Sequence, residues 1–213
     1  MATQNATTVF DYRALRLLVG CVALALPFIV SLISSSPLSS ISASYYTEAR
    51  DAFVGMLFVV SAFLWAYNGH SAKEAWASKV AALAAIVVAL FPTSCDHCET
   101  NLKSIIHYGA AVTLFAMLQY FCFGPFRKNT KGQAGKKGRR SRIYFICGTI
   151  MLGCMLSAGV TEMTMSTETI ITFKITYWAE AIALGAFGVA WIVAGKYFRP
   201  LVDPDEALHL FGK

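Results

Sequence analysis

Residues Ala14–Ser35 read ALRLLVGCVALALPFIVSLISS, and Arg16 is the one charged residue in the run. A helix needs about 20 predominantly apolar residues to cross the hydrocarbon core of a bilayer. A cleaved secretory leader has a basic start and an apolar stretch of about 7–15 residues. This segment is longer, and Asp11 offsets Arg13 and Arg16 at its N-terminal end. It is therefore read as a retained transmembrane span, with Pro27 predicting a kink.

Five further apolar segments follow: Ala52–Tyr67, Trp76–Phe91, Ser104–Phe123, Ile143–Val160 and Ile170–Tyr197. The second and third of the six are short, with Arg50–Asp51 and Lys79 expected at the interfaces. Continuous apolar runs, unlike the alternation of barrel strands, predict helices, which satisfy their own backbone hydrogen bonds in lipid. The expected architecture is an all-α polytopic bundle of six transmembrane helices, residues 1–213 forming one domain.

Composition agrees. The 213-residue chain is 56% hydrophobic and 14% charged, against about 45–50% and 25% for soluble domains. That balance argues against a soluble globular enzyme and against disorder. Six cysteines are too few for a secreted disulfide scaffold of this length.

The net charge of +6 is concentrated. Residues 126–142 hold Arg127, Lys128, Lys131, Lys136, Lys137, Arg139, Arg140 and Arg142 and no acid. Short basic loops stay in the cytoplasm. With that loop inside, 15 of the 18 basic residues are cytoplasmic, and only Arg50, Lys103 and Lys174 are outside. Both termini are then expected inside. Without the eight loop residues, ten basic residues face twelve acidic ones. The excess charge thus reads as a topology signal with attraction for anionic lipid, not as a nucleic-acid site. Gly132, Gly135 and Gly138 predict a flexible loop, and residues 200–213 a short amphipathic or irregular cap.

Polar residues worth a functional reading cluster toward the outer side. The hydroxyl-rich loop after the first span leads into Tyr45, Tyr46, Thr47, Arg50 and Asp51. One reading is a helix start, with Thr47 as N-cap, Asp51 favoured by the dipole and tyrosines at the interface. The other is a polar patch that orients a headgroup. Cys95-Asp-His-Cys98 admits a local disulfide, free thiols or a soft-metal site. Cys21, Cys122, Cys147 and Cys154 fall in spans and read as small packing residues.

His107 lies about a turn into the fourth span and Glu180 deeper in the sixth. An ionisable residue inside a span is a functional hypothesis by default. Asp51, His107 and Glu180 are expected to line one outward-facing cavity, with Arg50 or His107 as partner of Glu180. The alternative for Glu180 is a protonated carboxyl bonded to a neighbouring helix. Gly148, Gly153, Gly185, Gly188 and Gly195 predict close helix packing.

Four strings, SISASYYTEARDAFVG (Ser40–Gly55), VALFPTS (Val88–Ser94), IYFICG (Ile143–Gly148) and WAEAIALGAFGVAWIVAGK (Trp178–Lys196), together resemble a group of uncharacterised bacterial six-span inner-membrane proteins. The span count and serine-rich first loop loosely resemble the DRAM-like group. The first resemblance implies a multi-pass protein of the bacterial inner membrane and directs attention to Tyr45, Tyr46, Arg50, Asp51 and Glu180. Neither implies a reaction. Membrane-embedded hydrolases of the alkaline ceramidase type place an Asp, a Ser and several His around a metal. Here the four histidines, at 70, 97, 107 and 209, form no HxxxH pair, so that class is disfavoured.

Nucleotide-loop, GxSxG and HExxH motifs are absent from the sequence. No catalytic residue, metal or cofactor is assigned. The favoured function is binding of a membrane lipid or small amphiphile through Tyr45, Tyr46, Arg50, Asp51, His107 and Glu180. A transporter or channel component in which Glu180 titrates, or a lipid-modifying enzyme with Asp51 and His107 as acid and base, are the alternatives.

Overall fold

A computed structural model describes residues 12–204. Those residues are all-α, with no strand among them. Seven helices follow in order: α1 (Tyr12–Ile33), α2 (Arg50–Ala66), α3 (Ala72–Leu90), α4 (Leu102–Phe123), α5 (Gly135–Thr164), α6 (Thr167–Phe173) and α7 (Ile175–Gly195). Four of them, α1, α4, α5 and α7, are long and apolar enough to cross a membrane. At 1.5 Å per residue, the 17 residues of α2 reach only about 26 Å. The 19-residue α3 carries Lys73, Glu74 and Lys79.

The helix starts follow local chemistry. Ser71 accepts from the Glu74 N–H, and Glu74 in turn accepts from the His70 N–H at 3.0 Å. Asn101 caps α4 by accepting from Lys103 and Ser104, while the Ser104 hydroxyl accepts from the Asn101 N–H, a reciprocal capping box. Ser166 caps α6. Thr47 does not cap α2: that position belongs to Ala49, which makes no side-chain cap bond. Thr47 instead closes a 3₁₀ turn over Ser42–Tyr46, its hydroxyl donating to the Ser44 carbonyl.

Packing runs around a ring in chain order: α1 on α2, α2 on α3, α3 on α4, α4 on α5, α5 on α7, and α7 back onto α1. The closest seam joins α1 and α7. A methyl group on Gly20 would lie 2.7 Å from the Gly188 carbonyl oxygen, and one on Gly188 would lie 2.8 Å from that of Gly20. Of the glycines expected to serve packing, Gly188, Gly148 and Gly195 meet close neighbours, whereas Gly153 and Gly185 face open space. Large apolar side chains turn outward along the helices, among them Phe28, Leu32 and Val160 at 70%, 84% and 57% exposure. Such an apolar exterior suits a lipid solvent.

Two expectations are corrected. The segment 170–197 is not one helix. It breaks at Lys174, whose left-handed φ of 51° ends α6 and starts α7. Nor is 126–142 a loop throughout, because α5 begins at Gly135 and carries Lys136–Arg142 into helix. Arg140 is 1% exposed and donates to the Leu201 carbonyl at 2.6 Å. Lys136 reaches the Val202 carbonyl at 2.8 Å. These bonds tie the basic segment to a 3₁₀ turn at Arg199–Leu201. α1 continues through Pro27. The cap expected over 200–213 lies beyond the described residues from Asp205 onward, as does His209.

At the same end of the ring, Arg16 sits in an aromatic cluster. It donates to the Ala194 carbonyl at 2.9 Å and the Tyr67 hydroxyl at 2.5 Å. Its guanidinium carbon lies 5.2 Å from the centre of the Tyr67 ring and 5.4 Å from that of Phe126. Trp191 and Phe121 complete the packing. The last-turn carbonyl of α7 and two ring faces thus surround a charge that lies within the bundle.

Candidate functional site

At the opposite end of the ring, the segment linking α1 to α2 folds over the helix ends. Glu180, in the second turn of α7, holds it there. Its carboxylate accepts from the Ile41 N–H at 2.5 Å, the Ser42 N–H at 3.2 Å and the Ser42 hydroxyl at 3.1 Å. These are the donors at the start of the 3₁₀ turn. A carboxylate there does what an acidic cap does at a helix N-terminus. Glu180 therefore pairs with the α1–α2 segment, and not with Arg50 or His107.

Other bonds fasten the same cover. The Tyr177 N–H donates to the Ser39 carbonyl at 3.0 Å. The Tyr46 hydroxyl donates to the Thr93 carbonyl at 2.6 Å, and burial pushes its phenol above the ordinary value, with Tyr45 and Tyr108 adding to the effect. Tyr46 thus stays a neutral donor. Ser35 donates through its hydroxyl to Glu48 at 2.8 Å. The backbone N–H of Glu48, then the hydroxyl and N–H of Ser35, hold that carboxyl below its ordinary value.

The loop between α3 and α4 forms the other part of the cover. Cys95 and Cys98 are joined by a disulfide. Asp96 accepts from the Ser39 hydroxyl at 2.8 Å, which links the α1–α2 and α3–α4 segments. His97 adopts a left-handed φ of 63° between the cysteines. Among the described residues, no group of three or more His, Cys, Asp or Glu is placed to hold a metal ion.

His107 is 2% exposed, and its Nδ1 lies 2.7 Å from the Phe91 carbonyl oxygen. A carbonyl only accepts, so Nδ1 carries the proton and in the neutral ring Nε2 is an acceptor. The bond ties α4 to the end of α3.

The six residues singled out from sequence separate. Tyr45, Arg50 and Asp51 line a recess of about 500 Å³ with Val54, Gly55, Ala89 and Leu90. There Arg50 donates to the Tyr45 hydroxyl at 2.9 Å and stacks 4.3 Å over its ring centre. His107 and Glu180 line a second cavity of about 780 Å³ among α4, α5, α6, α7 and the α1–α2 and α3–α4 segments. Neither recess holds both Asp51 and His107, so the geometry does not assemble them as an acid–base pair. Tyr46 lines neither, being spent on Thr93. The expectation of one shared cavity is corrected to two recesses, because the 3₁₀ turn and the 92–101 loop, bridged by Tyr46, stand over the ring.

The larger cavity is graded. Toward the helix ends, which form its mouth, it is lined by Asp96, His97 and Glu99 of the loop before α4 and by Glu162 in the last turn of α5. Its wall descends past His107 and Glu180 to Phe115, Met155, Ala158 and Ala183. Phe115 lies about 20 Å along α4 from its start. The Thr176 hydroxyl oxygen, in the same wall, is buried and has no hydrogen-bond partner among the described residues. Glu162 and Thr176 were not singled out from sequence, because α5 and the α6–α7 break bring them to the cavity only in the fold.

The chain matches no family model, no curated protein and no solved structure.

Proposed function

We propose that the protein is a six-span protein of the bacterial inner membrane that binds a lipid or small amphiphile in the larger cavity from the outer side. The observation that carries this reading is the cavity's gradient, from carboxylates and hydroxyls at its mouth to apolar side chains in its depth. An amphiphile has the same division. The volume of about 780 Å³ falls within the range of sites for small molecules. The unspent Thr176 hydroxyl supplies a wall group for a polar head.

Two features support the orientation. The eight basic residues and the aromatic cluster around Arg16 lie at one end of the ring, the cavity mouth at the other. The disulfide belongs to the mouth, and disulfides persist in oxidising compartments outside the cytoplasm. For six spans, α2 and α3 cross beside the longer helices as consecutive members of the ring. A bilayer thinned locally, or interfacial side chains that snorkel, accommodates such short helices. Glu180 already accepts three hydrogen bonds from the outer segment, which favours a holding role over that of a proton carrier.

Native mass spectrometry tests the reading. Protein transferred into dodecyl maltoside and released in the gas phase retains one amphiphile, and Ala158→Trp, which places an indole in the cavity, loses it. Equal retention by the folded Trp variant contradicts the proposal.

A further inference from the structure

The rim of the larger cavity has one sign of charge. Asp96 and Glu99 in the loop before α4 and Glu162 in the last turn of α5 line its end nearest the helix termini, and no Lys or Arg belongs to its lining. Among the described residues, no ion pair neutralises any of the three. Glu99 and Glu162 are exposed, so their carboxylates are available to a ligand and not committed to the fold. Asp96 already accepts from Ser39, and its second oxygen remains an acceptor. Below the rim, Phe115, Met155 and Ala158 offer no group to a charged head but suit an alkyl chain.

We propose, resting on the amphiphile-binding reading above, that the ligand is a net-cationic amphiphile, an alkyl chain carrying an amine or quaternary ammonium head. The field of three carboxylates favours a positive head and disfavours a sulfate or phosphate, whose charge would meet like charge with no cation to receive it. A zwitterionic phospholipid is disfavoured for the same reason, because its phosphate enters the rim along with its ammonium. An inorganic divalent ion is not favoured, since no group of three potential ligands converges among the described residues. Tyr108, also in the wall, adds a ring able to face a cation.

Exposed ion pairs are individually weak, so the rim is expected to set selectivity more than affinity. Three together correspond to about a tenfold preference. The test is competition against radiolabelled dodecyl maltoside on the full-length protein in an uncharged amphipol. Dodecyltrimethylammonium is expected to displace the label at about tenfold lower concentration than dodecyl sulfate, the chain being the same. The double variant Glu99→Gln/Glu162→Gln is expected to bring that ratio close to one, both competitors being measured against the same variant's own maltoside binding. Both residues lie on the exposed rim, and the thermal midpoint monitors folding. Phosphatidylethanolamine, added as mixed micelles, is expected to compete no better than phosphatidylcholine.

Equal or better competition by dodecyl sulfate overturns the charge assignment, as does a preference that survives the double variant. Stronger competition by phosphatidylethanolamine overturns the choice of a net-cationic ligand over an amine-headed phospholipid. In each case maltoside binding lost in Ala158→Trp leaves the amphiphile reading standing. If no maltoside binding sensitive to Ala158→Trp is found, both readings fall together.

Discussion

Glu180 shows how a single buried group organises one end of the ring. Its position in an apolar stretch marks it as unusual in the sequence, but its partners do not follow from spacing. They are two backbone N–H groups and a serine hydroxyl, almost 140 residues earlier in the chain, and backbone donors have no sequence signature. Glu180→Ala removes the acceptor from the Ile41 and Ser42 N–H groups. Leaving buried donors unsatisfied costs about 1–3 kcal/mol. The expected outcome is a lower thermal midpoint together with faster hydrogen exchange at those two amides. Exchange unchanged at Ile41 and Ser42 would show that the carboxylate does not hold the turn. Arg16 makes the complementary point. It reads as a charge at the start of a span, yet the Ala194 carbonyl in the last turn of α7 and two aromatic rings take it in.

Among the elements, the apolar runs located all the principal helices, because hydrophobic length is a local property. The ends were less legible. α5 extends to Gly135 because Arg140 and Lys136 find carbonyls in the 199–202 turn, a contact invisible in a segment that reads as a charged, glycine-bearing loop. The break at Lys174 is hidden likewise, since the residues on both sides are apolar. The glycines separate once the helices are paired. Gly20→Ala and Gly188→Ala each drive a methyl group against backbone of the partner helix, and overpacking of this kind costs about 1–3 kcal/mol. Gly153→Ala and Gly185→Ala meet nothing within 4 Å and are expected to be neutral or slightly stabilising, alanine being the better helix former. Thermal unfolding of the four variants checks the division. A Gly188→Ala variant as stable as Gly185→Ala would mean that α1 and α7 do not meet as described.

For the whole molecule, the two ends of the ring carry opposite chemistry. Seven acids and three bases lie toward the cavity mouth, whereas the other end carries the eight basic residues of 126–142. This asymmetry was legible from sequence because charge counts need no fold. The division of the six candidate residues between two recesses was not, because it depends on how the 3₁₀ turn and the disulfide loop lie across the helices. A phosphatase inserted at Gly132 is expected to be inactive, and one inserted at Thr100 active, in a bacterial host. The reverse pattern would invert the orientation.

The measurement closest to the central claim is photolabelling of membranes with a dodecyl chain bearing a terminal diazirine, followed by peptide mapping. The account predicts adducts at Phe115, Met155 and Ala158, suppressed by excess unlabelled dodecyl chain and by Ala111→Trp, which fills the same wall. Adducts confined to outward-facing positions such as Phe28, Leu32 and Val160, and unaffected by the Trp substitution, would contradict it.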